Sequence, residues 1–202
     1  PARVALGIRG PRQPVLGVAF AGTVSAVGEG VSGLRIGDRV AGMNGARMGA
    51  HAELLAVRAD RAVPIPEGVS DADAAGALFG GTAAMHFLRD LVGPGTSVLV
   101  NGSSGSVGSA AVQLARAAGG TVTAVTRDEN APLARRLGAS ATVDYTRTQV
   151  AELTERYDVV LDTVGNIDIA TGTGMLTDRG TLLLAVAGLG ETLSARGRVR
   201  AG

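Results

Sequence analysis

The sequence predicts an α/β protein in which a doubly wound parallel sheet over residues 78–202 follows a smaller, mostly β region over residues 1–77. Three observations carry this. From Thr96 onward, short runs rich in Val and Leu alternate with helix-length segments, the pattern of strands covered on both faces by crossover helices. Hydrophobic residues make up 46% of the 202 positions and charged residues 18%, so the chain can bury a core and is not disordered. A Gly/Ser turn directly follows the first strand of the alternating part and opens its first helix.

Residues 1–70 read as strands and turns. Phe20 to Gly28 is a strand punctuated by Gly, Gly37-Asp38-Arg39-Val40-Ala41-Gly42 is a turn feeding a second, and residues 52–57 fit a third. Pro64 and Pro66 then break the chain. The Asp71 carboxylate can accept the unpaired amides of a first helical turn, and residues 72–91 read as a helix interrupted at Gly80-Gly81. In the alternating part, strands fall at 97–100, 121–125, 141–143, 157–162 and 181–187. Helices run to residue 118, over 131–137 and, as a polar segment, over 149–156. Aromatics are only 2%, so Val, Leu and Ala must build the core.

Composition excludes several classes. The absence of Cys removes disulfides and thiolate metal sites. Nineteen basic residues, all Arg, face eighteen acidic ones for a net charge of +1. That balance supplies no basic field for nucleic acid, and the Arg-containing ending at residues 196–200 holds too few charges to act as an arm. No apolar run approaches the roughly 18 residues of a membrane span. The Pro1-Ala2-Arg3 start carries no signal pattern, so the cytoplasm is the expected compartment.

The strongest chemical signal is Asn101-Gly102-Ser103-Ser104-Gly105-Ser106-Val107-Gly108. In the G-x-G-x-x-G register, Gly105 lets the backbone approach a pyrophosphate and Gly108 lets the helix pack on the strand, while Ser103 stands at the first Gly. Amides at the helix start then face the phosphate charge. A Gly-rich turn without a ligand is the alternative, since the chain holds 31 Gly. A Ser nucleophile on this turn is set aside because G-x-S-x-G is not present. The next strand ends in Thr126-Arg127, and the planar Arg127 fork suits a ribose 2′-phosphate, which favours NADP over NAD. Asp128 and Glu129 follow directly, and a solvated Arg127 remains the alternative.

An ordered series of motifs completes the picture: Phe20-Ala21-Gly22-Thr23-Val24, Gly37-Asp38-Arg39-Val40, Gly49-Ala50-His51-Ala52-Glu53, Gly80-Gly81-Thr82-Ala83, the 98–108 turn, Leu137-Gly138-Ala139, Asp144-Tyr145 and Tyr157 to Gly165. Together, over residues 14–190, these resemble the medium-chain dehydrogenase/reductase superfamily, and within it the zinc-independent quinone oxidoreductase (zeta-crystallin-like) branch. The resemblance implies a partial GroES-like catalytic domain over 1–77 and a Rossmann dinucleotide-binding domain over 78–202, with the chain incomplete at both ends. It implies Thr82 near a nicotinamide, Ser104, Ser106, Val107 and Gly108 on the pyrophosphate, and Arg127 and Tyr145 flanking the 2′-phosphate. Thr163, Val164 and Gly165, with Val186 and Ala187, would line the cofactor cleft. Ser106 stands where Gly is usual, and Val18 and Ala19 stand where zinc-dependent members carry His-Glu. His51 is expected as a strand residue and His86 as a partly buried helix residue, so no metal is expected.

The implied activity is NADPH-dependent hydride transfer to a quinone or an activated, enone-type C=C. No side chain stands out as proton donor, so no catalytic residue is named. Two other readings stay open: an enoyl-thioester reductase domain of a polyketide-type synthase, and an NADP-binding protein without turnover. Pairing of sheet edges into a homodimer is a further implication of the resemblance.

Overall fold

The computed structural model describes residues 13–186 and 199–201. The chain divides into two compact units after Phe79.

The first unit holds a three-stranded antiparallel sheet of β1 (Ala19–Thr23), β2 (Arg39–Met43) and β3 (Ala62–Pro64), in the order β1-β2-β3. Val40 and Ala41 of the central strand are buried. Gly42 has no substitute there, because a Cβ would lie 1.8 Å from the Arg61 carbonyl oxygen. The third strand falls at 62–64 rather than at 52–57, which is irregular. Pro64 closes it opposite Val40, at a strand end where a missing N–H costs no ladder bond. The first strand also stops at Thr23, short of Gly28.

Helix α1 (Asp71–Leu88) begins one residue earlier than a cap at Asp71 requires. The cap is Ser70: its Oγ accepts from the Asp73 amide at 3.1 Å and donates to the Asp73 carboxylate at 2.6 Å. The Asp71 carboxylate is instead taken by Arg39, which also donates to the Val69 carbonyl at 2.8 Å. Gly80-Gly81 does not interrupt the helix. The Ala-rich flanks outweigh a Gly cost of about 1 kcal/mol each.

The second unit is a six-stranded, wholly parallel sheet in the order β6-β5-β4-β7-β8-β9. Its strands are β4 (Ser97–Asn101), β5 (Thr121–Thr126), β6 (Ala141–Asp144), β7 (Tyr157–Asp162), β8 (Leu176–Leu184) and β9 (Val199–Ala201). Helices α2 (Ser106–Ala117), α3 (Ala131–Arg136) and α4 (Ile169–Gly174) cross between them. Alternation along the strands sorts the side chains into two cores. Val98, Val100, Val122, Ala124, Val159 and Leu161 pack with the Ala-rich faces of α2 and α3 on one side. Leu99, Val125, Val160, Leu182 and Leu184 pack with Tyr157, Ile167 and Met175 on the other. Each such Val or Leu contributes about 1.5–3 kcal/mol on burial.

Three expectations are corrected here. The polar segment 149–156 forms only a single tight turn, Val150–Glu152. Strand β8 begins at Leu176, five residues before Thr181. Helix α4 and strand β9 have no counterpart in the sequence reading. Successive strands run outward in one direction from β4 to β6 and in the other from β7 to β9, so the order reverses between β4 and β7. In open α/β sheets, ligands bind in the crevice at the carboxyl ends of the strands at such a point.

Candidate functional site

At the carboxyl end of β4 the chain turns sharply. Gly102 adopts a φ of +81°, and a Cβ there would lie 2.5 Å from Thr163 Oγ1 and 2.7 Å from Val164 Cγ2. The amides of Gly102 and Ser103 both donate to the Val125 carbonyl, at 3.2 and 3.1 Å, and so does the buried Ser103 hydroxyl at 3.1 Å. Gly102, one position earlier than the motif register suggested, therefore makes the turn. Ser103 pins it to β5 instead of departing from the pattern.

Helix α2 then starts at Ser106, and the Ser109 amide donates to the Gly105 carbonyl at 2.8 Å. The amides of Ser106, Val107 and Gly108 precede that bond and have no partner within the helix. Gly105 at the cap has no side chain to cover them, and Ser104, Gly105 and Ser106 are exposed. A Cβ on Gly105 would meet only the Gly102 carbonyl, at 3.4 Å, whereas one on Gly108 would lie 2.2 Å from it. Gly108 thus allows close packing and Gly105 leaves an open approach. This is a bare, positively polarised helix start facing a solvent-open cradle, and it fits a phosphate group. Ser106 carries a side chain where Gly is usual, and the missing Cβ lies opposite it. At Gly80 of α1 a Cβ would be 2.3 Å from the Ser106 carbonyl oxygen and 2.5 Å from its Oγ.

The other wall of the crevice is the loop after β7. Thr163 Oγ1 donates to the Asn101 carbonyl at 2.7 Å, while Val164 is exposed. Gly165, at φ +83°, lies against Val186, where a Cβ would come 3.0 Å from Val186 Cγ1. Beneath this loop the fully buried Asp162 carboxylate accepts from Asn101 Nδ2 at 2.9 Å and from the amides of Val164, Gly165 and Ile167 at 2.9, 3.1 and 3.0 Å. Ala187 lies outside the described residues.

At the tips of β5 and β6, Arg127 Nε donates to the Tyr145 hydroxyl at 2.8 Å, and the guanidinium carbon lies 5.9 Å from the ring centroid. Both side chains are exposed. The hydrogen bond to Tyr145, with its charge and that of Glu129, holds the Arg127 guanidinium above its usual range. Asp144 accepts from the Thr146 amide at 2.9 Å and hydroxyl at 2.8 Å, which hold its carboxyl below the usual range and shape the turn bearing Tyr145. A cavity of about 360 Å³ here is lined by Thr126, Arg127, Arg135, Asp144 and Arg147 among others. The Thr126 Oγ1 at its edge is buried without a hydrogen-bond partner among the described residues.

The structure thus brings Ser104 to Gly108, Thr163 and Val164 to the switch-point crevice, and Arg127 and Tyr145 to the neighbouring strand tips. Thr82 lies exposed on α1, two residues beyond Gly80. Gly80, Asn101, Gly102, Thr126 and Asp162 lie within the sequence motifs but carry no site role in the sequence reading. His51 sits outside any strand, and His86 is exposed on α1, edge-on to Phe87 at 5.6 Å. Among the described residues no three His, Cys, Asp or Glu side chains gather as a metal set, and no helix is long and apolar enough to cross a membrane.

Comparison with known proteins adds the following. Residues 3–67 match the alcohol dehydrogenase GroES-like domain, and residues 106–196 match the zinc-binding dehydrogenase family. A mycocerosic acid synthase-like polyketide synthase of Mycobacterium tuberculosis is 39% identical over 183 residues, covering 88% of this chain and 8% of the relative. A quinone oxidoreductase of Pseudomonas aeruginosa is 36% identical over 178 residues, covering 83% of this chain and 54% of the relative. Among solved structures, the Escherichia coli quinone oxidoreductase complexed with NADPH is 26% identical with a TM-score of 0.77, covering 93% of this chain and 62% of that one. The chain thus spans about half of one curated relative and a small part of the other.

Proposed function

Because the chain belongs to the medium-chain dehydrogenase/reductase superfamily, in its quinone oxidoreductase-like branch, we propose that it binds NADPH in the switch-point crevice and forms part of a zinc-independent reductase. The observation that carries this reading is the Gly102 to Gly108 turn, with its uncapped helix start, beside the Arg127–Tyr145 pair. Ser104, Ser106, Val107 and Gly108 hold the pyrophosphate through their amides, and Gly105, whose amide donates to the Gly102 carbonyl, lets it approach closely. Arg127, steered by Tyr145, takes the 2′-phosphate. Thr82, Thr163, Val164 and Val186 wall the nicotinamide half.

When bound, reduced nicotinamide supplies a hydride, which a quinone or an enone-type C=C accepts together with a proton from solvent. The chain's own residues bind and orient for that step. The zinc named in one family description finds no fit among the described residues: the chain has no Cys, and no ligand set gathers. No step is routed through a metal.

The test is a parallel titration of NADPH and NADH, with the chain and with Arg127→Ala, read by nicotinamide fluorescence against a background free of Trp. NADPH should bind at least about tenfold tighter, near 1.4 kcal/mol, and lose that margin in the variant. Equal affinities would refute NADPH selectivity, and a preference that survives Arg127→Ala would refute Arg127 as its source.

The polyketide synthase match, at 39% identity, favours a second reading in which the acceptor is an enoyl thioester. Acceptor assays with quinones and enoyl thioesters separate the two. Oxidation of NADPH by enoyl thioesters and not by quinones would assign the second.

A further inference from the structure

Asp162 is an unusual residue to find without any exposure at the end of an apolar strand. It makes no ion pair among the described residues, where its partners are N–H groups. One oxygen accepts from Asn101 Nδ2, the Val164 amide and the Gly165 amide; the other accepts from Gly165 at 3.2 Å and Ile167 at 3.0 Å. Asn101 uses its second amide hydrogen on Asn166 Oδ1, at 2.7 Å. Asn101 ends β4 and Asp162 ends β7, so this network ties together the two strands that flank the switch point. Above it, Thr163 and Val164 occupy the space that a Cβ on Gly102 would need. The wall that packs against the phosphate turn is therefore held by one carboxylate.

We propose that Asp162, aided by Asn101, is a positioning residue for the nicotinamide half of the cofactor: it holds the 163–167 loop against the phosphate turn. This rests on the dinucleotide reading above. A carboxylate is required because donors approach both oxygens. In Asp162→Asn one of those oxygens becomes an NH₂ that faces backbone N–H groups, and the Ile167 end of the loop loses its acceptor. The Arg127–Tyr145 pair stands on β5 and β6 and shares no hydrogen bond with this network, so binding at the adenosine end is independent of it.

The test uses two ligands on the 202-residue chain. NADPH spans the whole site, whereas adenosine 2′,5′-bisphosphate reaches the adenosine end and, through its 5′-phosphate, the phosphate turn, but not the nicotinamide half. In Asp162→Asn, NADPH should bind about tenfold or more weakly, while the bisphosphate stays within about twofold. Hydrogen exchange at the Val164, Gly165 and Ile167 amides should accelerate alongside. Asn101→Ala leaves the three backbone amides on Asp162 and keeps the question open to refutation if Asp162→Asn does not fold; it should weaken NADPH about threefold and spare the bisphosphate. Unchanged NADPH affinity in a folded variant, or equal loss for both ligands, overturns the proposal while leaving the parent reading intact. A wild-type chain that binds neither ligand overturns both.

Discussion

Gly80 faces the Ser106 carbonyl so closely that a Cβ on it would lie 2.3 Å from that oxygen. The helix before the sheet and the helix that opens the phosphate turn thus meet at a point where only a hydrogen fits. The next residue, Gly81, has nothing within 4 Å of its Cβ position.

Two adjacent glycines in one helix are therefore expected to respond with opposite signs. Gly80→Ala must push a backbone carbonyl aside and should destabilise the fold by about 1–3 kcal/mol, the usual cost of overpacking. It should also weaken NADPH, because the displaced carbonyl belongs to the first residue of the binding helix. Gly81→Ala should stabilise by about 0.5–1 kcal/mol through helix propensity alone. Urea midpoints of the two variants check this, and a stabilising Gly80→Ala would contradict the packing.

At the adenosine end, Tyr145 serves Arg127 as an acceptor and as an aromatic face. Tyr145→Phe keeps the face and removes the acceptor, so the guanidinium should lose its orientation but not its charge. NADPH affinity should fall about threefold, less than the tenfold or more expected for Arg127→Ala, and NADH affinity should not move. Calorimetric titration of both nucleotides reads the difference. Equal losses for NADPH and NADH would show that Tyr145 acts on the adenine rather than on the phosphate partner.

Much of this was legible in the chain itself, for physical reasons. Val98, Leu99 and Val100 are apolar without a break because both faces of β4 are covered, and that pattern marks a central parallel strand. The phosphate turn was legible because Gly105 and Gly108 stand in a fixed relation to a strand and a helix. Residues 149–156 read as a polar helical segment, yet Val150 and Leu153, spaced three apart, are both drawn to the core. In the tighter three-residue turn that forms, such residues eclipse, and both reach the core from one turn. Strand β3 was hidden by Pro64, whose place in a strand depends on the partner Val40, far away in sequence. Asp162 was invisible as a site residue because a lone carboxylate at a strand end reads as solvated. Only the folded loop brings three amides and Asn101 onto it.

The unpartnered Thr126 hydroxyl gives a simple test of what the cavity at the β5 tip demands. Thr126→Val replaces a buried hydroxyl by a methyl of similar shape. If the hydroxyl makes no bond in the free protein, the variant should be more stable by about 1 kcal/mol, since no hydrogen bond is lost and a desolvation cost is removed. Thermal unfolding in the absence of nucleotide measures it. Destabilisation would mean that the hydroxyl is already bonded, to water or to a shifted carbonyl.

The opposite end of the sheet carries a pH-dependent tie. Asp158 on β7 accepts from the Ser97 amide at 2.9 Å and hydroxyl at 2.8 Å on β4, and from the Thr177 hydroxyl at 2.8 Å on β8. These bonds, the Ser97 amide foremost, hold its carboxyl below the ordinary value of 3.8. A carboxylate with a lowered folded pKa adds stability that is present above the unfolded value and lost as pH falls through the folded one. Asp158→Asn should therefore cost about 1–2 kcal/mol at pH 7, the worth of hydrogen bonds to a charged acceptor less solvent screening. The deficit should begin to shrink as pH falls below 3.8, where the unfolded carboxyl takes up its proton, and vanish below the lower folded value, where the native side chain is protonated too. Urea midpoints for both proteins across the acid range test the sign. A deficit that stays constant into acid would mean that shape at position 158, and not its charge, joins the three strands.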